Sequence, residues 1–550
     1  MMKQSKLGSR TKTNKNIKEK KFKYLDSKPD DFNPDSLKLI SKSIGHGTYG
    51  VIHETNHSKY ACKLVKIRHE ERNDGLPIAF LREVSAIMAL NDSPHVIKST
   101  RISTNRKYVK IYMPKYQYNL AQYNTKYRES MNSETIKSFM FQILKGLYDA
   151  QSVLICHRDL KPENILINED NKLVICDWGL SKFMEVDGGE SYSGEVQSLW
   201  YRAPELLLGQ QSYNSSIEIW SVGVIMCELY NGVTLLAGDC QIGQLYAIFE
   251  LFGTPDTQIW PGIENLENYQ LNFPKWSPRD LGKFIRGISN TGLDLISKML
   301  KLNPKERISV VDALNHPYFS MMCNVPIPQH NLMQNLIQLN PNQINHQYML
   351  TQENINIKMR SILIDWMIEV KQVWKLRHTT FFLACHYLDL YLTNNNIARH
   401  HLQLLGLACI AVASKVHEIQ PRGMYDYIYM SADAYTMDNL LIMESELVDF
   451  FKYRLYQVTE YTFINIFTSQ LNLSQEIKKK CIDDLYICIT DLQLKKYKQY
   501  ELVLGIFYIH LKIDNEKQIL DYISSINLSN QRLIEIEKDI NNLKDQRVSC

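Results

Sequence analysis

Apolar and polar positions alternate differently in successive parts of this chain. Residues 1–36 are rich in Lys, Asn and Ser with little to bury, which predicts a disordered basic tail. Glycines with β-branched flanks follow in Ile44-Gly45-His46-Gly47-Thr48-Tyr49-Gly50-Val51-Ile52, then the apolar run Tyr60-Ala61-Cys62-Lys63. That pattern predicts two strands joined by a tight loop, a third strand, and a helix carrying Glu83. After Phe319 the composition shifts to Asn, Gln and Pro, so residues 320–347 read as a linker. Helical periodicity resumes near Tyr348. Met359–Val370 has the apolar spacing of an amphipathic helix, and Leu402–Ala413 is apolar on nearly every face, as a fully buried helix is. Beyond residue 457, Leu502–Phe507 reads as another buried helix and Leu533–Leu543 as a charged amphipathic one.

Composition narrows the classes. A chain of 550 residues exceeds what one core serves, so two or three domains are expected. With 45% hydrophobic and 22% charged residues and a net charge of +4, nothing argues for nucleic acid as a ligand. The cysteines stand singly, without a C-x-x-C pair, which fits a reducing compartment and no zinc cage. The longest apolar run is too short to span a bilayer and the N-terminus has no apolar signal core, so no membrane partner and a cytoplasmic or nuclear location are expected. Abundant Asn, Lys, Ile and Tyr match the codons of an AT-rich genome, such as a protist or a large DNA virus.

The chemistry concentrates in Cys156-His157-Arg158-Asp159-Leu160-Lys161-Pro162-Glu163-Asn164, followed by Asp177-Trp178-Gly179. A loop of this form sets one carboxylate, Asp159, to accept a hydroxyl proton. Asn164 and Asp177 supply oxygens that can share a metal ion, the equipment for phosphoryl transfer. The glycine run Gly45, Gly47 and Gly50 lets backbone N–H groups approach phosphates, with Ile52 beside it. Lys63 stands where an ammonium can hold the α- and β-phosphates, and Glu83 is its natural ion-pair partner.

From Gly45 to Phe319 the sequence resembles the cyclin-dependent kinases. Pro77-Ile78-Ala79-Phe80-Leu81-Arg82-Glu83 is similar to their regulatory helix, and Leu199-Trp200-Tyr201-Arg202-Ala203-Pro204-Glu205 to the end of their activation segment. Further matches are Phe252-Gly253-Thr254-Pro255, Arg307-Ile308-Ser309 and His316-Pro317-Tyr318-Phe319. The resemblance implies a bilobal α+β fold over 37–319, ATP and Mg²⁺ as cofactors, Asp159, Lys161, Lys63 and Glu83 as catalytic residues, and Asn164 and Asp177 as metal ligands. It places Met113 and Tyr116 beside the nucleotide. It also makes Thr48 and Tyr49 inhibitory sites and Ser193 an activating phosphosite facing Arg82, Arg158 and Lys182, the last standing where the family has arginine. Trp178 replaces a Phe, Gln197 an apolar residue near the proline-selecting pocket, and Glu218 an Asp that anchors the catalytic loop, where an extra methylene predicts a looser Asp159.

The run Met359-Arg360-Ser361-Ile362-Leu363-Ile364-Asp365-Trp366 is similar to the opening of a cyclin box. Tyr387-Leu388-Asp389, Ala413-Ser414-Lys415-Val416-His417-Glu418 and Met443-Glu444 follow in that family's order. The resemblance implies an all-α cyclin fold over 348–456 and, from position, a degenerate second helical domain over 457–550. Arg360 and Asp389 match an internal ion pair, and Lys415 and Glu444 the pair that grips the kinase helix. The whole is expected to be a Ser/Thr protein kinase acting on protein substrates and switched on by its own cyclin half, docked within the chain or in a swapped dimer. A pseudokinase scaffold, or a cyclin adaptor for a separate kinase, is the competing expectation.

Overall fold

The computed structural model describes residues 20–23, 36–47, 49–185, 192–194, 196–322, 326–329, 332–339, 344–511 and 529–548. They fall into two compact units, one of residues 1–72 with 99–115 and one of residues 73–98 with 116–550.

The first unit is an antiparallel sheet of β1 (Lys20–Lys23), β2 (Leu39–Gly47), β3 (Gly50–Thr55), β4 (Tyr60–Lys66), β5 (Arg101–Thr104) and β6 (Tyr108–Pro114), in the order β1-β5-β6-β4-β3-β2. Leu37, Cys62 and Tyr112 form a small core on it, with Leu39 and Tyr60 packed alongside. The β2–β3 hairpin closes with Gly47 opposite Gly50. A Cβ at Gly50 would lie 2.9 Å from the Leu64 carbonyl oxygen and from Val65 Cγ2, so only glycine lets β3 run this close to β4. The expected disordered tail is corrected at one place: Lys20–Lys23 pair in register with Arg101–Thr104. Composition judged what those side chains can bury, whereas the open backbone edge of β5 recruits N–H and C=O groups whatever side chains they carry.

The second unit contains the other elements. These are α1 (Ile78–Ala89), β7 (Tyr118–Asn119), α2 (Leu120–Lys126), α3 (Ser133–Gln151), β8 (Ile155–Cys156), β9 (Ile165–Ile167), β10 (Leu173–Ile175), β11 (Lys182–Phe183), α4 (Pro204–Leu207), α5 (Ser216–Asn231), α6 (Gln241–Phe252), α7 (Asn290–Met299) and α8 (Val310–Leu314). Its first core forms where α3 packs on α5, α8 and β10. A buried bidentate pair, Arg307 Nη1 to Glu205 Oε1 at 2.7 Å and Nη2 to Oε2 at 2.9 Å, pins the end of the activation segment to that core.

The linker expectation is corrected as well, because α9 (Leu332–Leu339) stands inside it with Met333 and Leu336 buried. Next come α10 (Ile357–Trp374), α11 (His378–Asn394), α12 (Leu402–His417), α13 (Met424–Met430) and α14 (Met437–Phe450). Asn356 caps α10 through the Met359 N–H at 3.0 Å, and Thr436 with Asn439 makes a capping box for α14. The apolar α12 is central, packed by α10, α11, α13 and α14. The last helices are α15 (Glu460–Gln470), α16 (Gln475–Thr490), α17 (Gln499–Leu511) and α18 (Asn530–Val548). Among the described residues no helix is long and apolar enough to cross a membrane.

The two helical groups are riveted by buried charge. Arg360 donates to both oxygens of Asp389 at 2.7 Å, and also to the carbonyls of Ile489 and Thr490 at the end of α16. Tyr348 and Lys495 complete the surroundings of Asp389, and Lys495 pairs with Glu460 at 2.6 Å. Burial pushes the Asp389 carboxyl up, but Arg360 outweighs it, so the group stays below its ordinary range. Replacing Arg360 by Met strands that carboxylate, and a loss of about 3–5 kcal/mol is expected. Chemical denaturation of the full chain should show it, and the double replacement Arg360→Met/Asp389→Leu should recover a large part.

Candidate active site

The expected catalytic loop is a short irregular stretch between β8 and β9. Arg158 adopts φ 65°, a left-handed conformation that turns the chain so that Asp159 and Asn164 converge. The Asp159 carboxylate is 3.1 Å from Lys161 Nζ, and it accepts from Asn164 Nδ2 at 3.2 Å. Its Oδ1 also accepts from the backbone N–H and the hydroxyl of Ser198, at 3.0 and 2.9 Å. Lys161 in turn donates to Ser198 Oγ at 2.9 Å. Ser198 was not singled out in the sequence because its role arises only across a 39-residue separation.

His157 is fully buried. Its Nδ1 accepts from the Asp159 N–H and its Nε2 faces the Cys176 carbonyl at 2.8 Å, an arrangement for neutral imidazole, and burial lowers its pKa in agreement. Glu218, expected to loosen the loop, reaches it: Oε1 accepts from the His157 N–H at 2.6 Å. Trp178 is wholly buried, donates from Nε1 to the Ile175 carbonyl, and stands edge-on to His157.

For a divalent cation the donor set is apt. The Asn164 amide nitrogen is committed to Asp159, which leaves its Oδ1 as the metal-facing atom, and half-buried Asp177 supplies a hard carboxylate. In the sheet unit, Lys63 on β4 is buried, in register with Ile52 on β3 and Ile111 on β6. A Cβ on Gly47 would meet its Cε at 3.4 Å, so the glycine hairpin runs beside the lysine stem. Gly45 pairs with Ile52, Met113 is buried on β6, and Tyr49 is exposed at the hairpin tip. Thr48 lies outside the described residues. In the second unit, Glu83 is buried on α1 and Tyr116 is half-buried.

Lys415 and Glu444 meet at the N-terminal end of α1. Lys415 Nζ donates to the carbonyls of Asp74 at 2.5 Å and Leu76 at 3.0 Å, and to Glu444 Oε1 at 2.5 Å. Glu444 Oε2 accepts the Leu76 N–H at 3.0 Å. Gly75 makes this fit: its φ is +75°, and a Cβ there would lie 2.0 Å from Glu444 Oε2. Arg82 on α1 donates to the Lys415 carbonyl at 3.1 Å and the Glu418 carbonyl at 2.7 Å. Phe80 packs edge-on against Tyr453, and Tyr456 bonds Ser181 just before β11.

Residues 39–319 match the family described as protein kinase domain, and residues 331–456 match the cyclin N-terminal domain. The chain belongs to the protein kinase family. It carries an N-terminal cyclin domain in the same polypeptide, whose match begins within the segment read as linker and includes α9.

In this kinase the three cations expected around a phosphorylated Ser193 have other partners. Arg82 is held by the two cyclin-half carbonyls. Arg158 donates to the Leu180 carbonyl at 2.8 Å and Tyr213 Oη at 3.1 Å, and Lys182 donates to the His417 carbonyl. Half-buried Ser193 is tied through its own carbonyl, which accepts from Tyr213 Oη at 2.7 Å.

Two predictions follow from this geometry. Gly75→Ala should unseat α1, seen as faster hydrogen exchange over residues 76–89. Gly287→Ala, at φ +70° with open space around it, should leave α1 exchange unchanged and so shows that strain elsewhere in the chain does not unseat α1. Burial raises Glu218 to about 7, so the folded kinase binds a proton there that the unfolded chain has lost. Its contribution to stability is therefore present below pH 4.5 and lost as pH rises toward 7, by up to roughly 3 kcal/mol. Glu218→Gln should flatten the fall in thermal midpoint between pH 5 and pH 8.

Proposed function

We propose that this chain is a Ser/Thr protein kinase of the cyclin-dependent type that transfers the ATP γ-phosphoryl group to Ser or Thr followed by Pro, and that its own cyclin half activates it. The observation that carries this reading is the grip of Lys415 and Glu444 on residues 74–76, at the start of the helix bearing Glu83. A helix so held fixes Glu83 within its own unit, and a kinase of this type needs that glutamate seated to pair with the strand lysine.

The roles follow from the geometry. Asp159, fixed by Ser198 and Asn164, accepts the proton of the substrate hydroxyl, and Lys161 beside it faces the charge of the transferring group. Asn164 Oδ1 and Asp177 would hold Mg²⁺, which when bound neutralises the phosphate oxygens. Preference for proline rests on Gln197, whose φ of +64° turns its carbonyl toward Arg202, which donates from Nη2 at 2.9 Å and Nε at 3.3 Å. A carbonyl so occupied offers no acceptor to the amide N–H after the target residue, and proline has none to satisfy. The strained conformation is supported by the Gln197 side chain, which bonds Ile217, Ser221 and the Ala203 N–H.

The test is transfer of labelled phosphate from ATP to paired peptides carrying Pro or Ala after the serine. Activity should favour the proline peptide and vanish in Asp159→Asn. In Lys415→Ala/Glu444→Ala it should fall at least about tenfold, the effect of about 1.4 kcal/mol. An active Asp159→Asn variant would refute the catalytic assignment, and an unchanged double variant would refute self-activation.

A further inference from the structure

The segment between Asp177 and Glu205 is the part of the kinase that a phosphate on Ser193 would be asked to shape. The structure gives it other anchors, two of them never assigned a role. Tyr192 is buried, its backbone N–H bonds the Gln211 carbonyl at 2.8 Å, and its hydroxyl accepts the Glu185 N–H at 2.9 Å. Its ring is tilted against Tyr213 at 5.4 Å. Across that ring, 5.6 Å from its centroid, sits the guanidinium of Arg377, a residue of the cyclin half at the N-cap of α11. Arg377 is itself held: its N–H bonds Glu418 Oε1 at 2.9 Å, and its Nε lies 3.8 Å from Glu418 Oε2.

We propose that Arg377 and Tyr192 form a latch by which the cyclin half holds the activation segment in its substrate-accepting shape, in place of a phosphate on Ser193. This rests on the self-activation reading above and deepens it by naming the residues that position the segment.

Three observations converge on the latch. A guanidinium over a buried aromatic face is attracted by the ring quadrupole, most strongly when water is excluded. The cations that would receive a phosphate are already bonded. Arg82 and Lys182 take the carbonyls of residues 415, 417 and 418 at the C-terminal end of α12, where the helix dipole concentrates negative partial charge. Arg158 and the Ser193 carbonyl are joined through Tyr213, so the backbone at the phosphosite is fixed from beneath with no phosphate.

Arg377 and Tyr192 are therefore positioning residues. They act on the peptide-binding segment and not on ATP or the transferred group, so their loss should appear in one kinetic constant. The experiment uses the full chain, purified and treated with a phosphatase, with peptide phosphorylation measured across peptide and ATP concentrations. Ser193→Ala is expected to keep kcat/KM within twofold of the parent chain. Arg377→Ala and Tyr192→Ala should each raise the peptide KM about tenfold while the ATP KM stays within twofold, and Tyr192→Phe, which keeps the ring, should restore most of the loss. The double variant Arg377→Ala/Tyr192→Ala should be no worse than either single one, as for residues acting through each other. A tenfold or greater loss in Ser193→Ala, or additive losses in the double variant, would overturn the latch. A parent chain with no transfer either before or after the phosphatase would instead overturn the self-activation reading, and transfer lost only on phosphatase treatment would overturn the latch.

Discussion

One ammonium group organises the junction on which this protein depends. Lys415 donates to the backbone carbonyls of Asp74 and Leu76 before α1 and to Glu444, while Glu444 accepts the Leu76 N–H, so the loop at residues 74–76 is read as main chain. Five polar groups meet there and every one finds a partner, the condition under which a buried charge pair is tolerated. Removing Lys415 leaves Glu444 and the Leu76 carbonyl short of a donor, a penalty of about 3–5 kcal/mol. The contact is therefore close to all-or-none, which suits a helix that must be either seated or not.

The constraint spreads from there. Arg82, one turn into α1, reaches the carbonyls of Lys415 and Glu418, so the same end of α12 that holds the loop also holds the helix. Ser181, before β11, touches both the Arg82 carbonyl and Tyr456, and Lys182 takes the His417 carbonyl. Helix seating, the start of the activation segment and the C-terminus of one buried cyclin helix form a continuous set of bonds. These acceptors are the backbone carbonyls of residues 415, 417 and 418, so these bonds themselves do not read the identity of those side chains.

Contiguous chemistry was legible in the sequence and scattered chemistry was not. The β2–β3 hairpin around the glycines and the buried pair of Arg360 with Asp389 stand where local patterns put them, since a motif spells out its own geometry when its members are neighbours or sit in a known order. Ser198, Gly75, Tyr192 and Arg377 were passed over. Each is an ordinary residue whose meaning lies in a partner tens to hundreds of positions away, as Gly75 with Glu444 shows. Composition misled twice, and differently. It ruled out order at Lys20–Lys23, where pairing uses only the backbone, and it ruled out a helix at Leu332–Leu339, where Leu332, Met333, Leu336 and Ile337 keep a helical spacing among the Asn and Gln residues. Of the three cations that the family likeness assigns to Ser193, Arg82 and Lys182 are bonded to carbonyls of the cyclin half and Arg158 to Leu180 and Tyr213.

Covalent linkage changes what such a polar junction must achieve. Between separate chains, association has to offset about 4–15 kcal/mol of lost translational and rotational freedom, beyond the desolvation of Lys415, Glu444 and Arg82. Within one chain that cost is replaced by closing a loop, which grows only as the logarithm of its length. Between the matched kinase and cyclin segments lie residues 320–330, and α9 beyond them is already packed through Met333 and Leu336. A tether this short sets a local concentration on the order of millimolar. A junction of modest intrinsic affinity is then occupied almost all the time, so the polar contacts at Lys415 and Arg82 serve chiefly to fix the register of α1. The affinity that a free cyclin must carry in its interface is here carried by the peptide backbone.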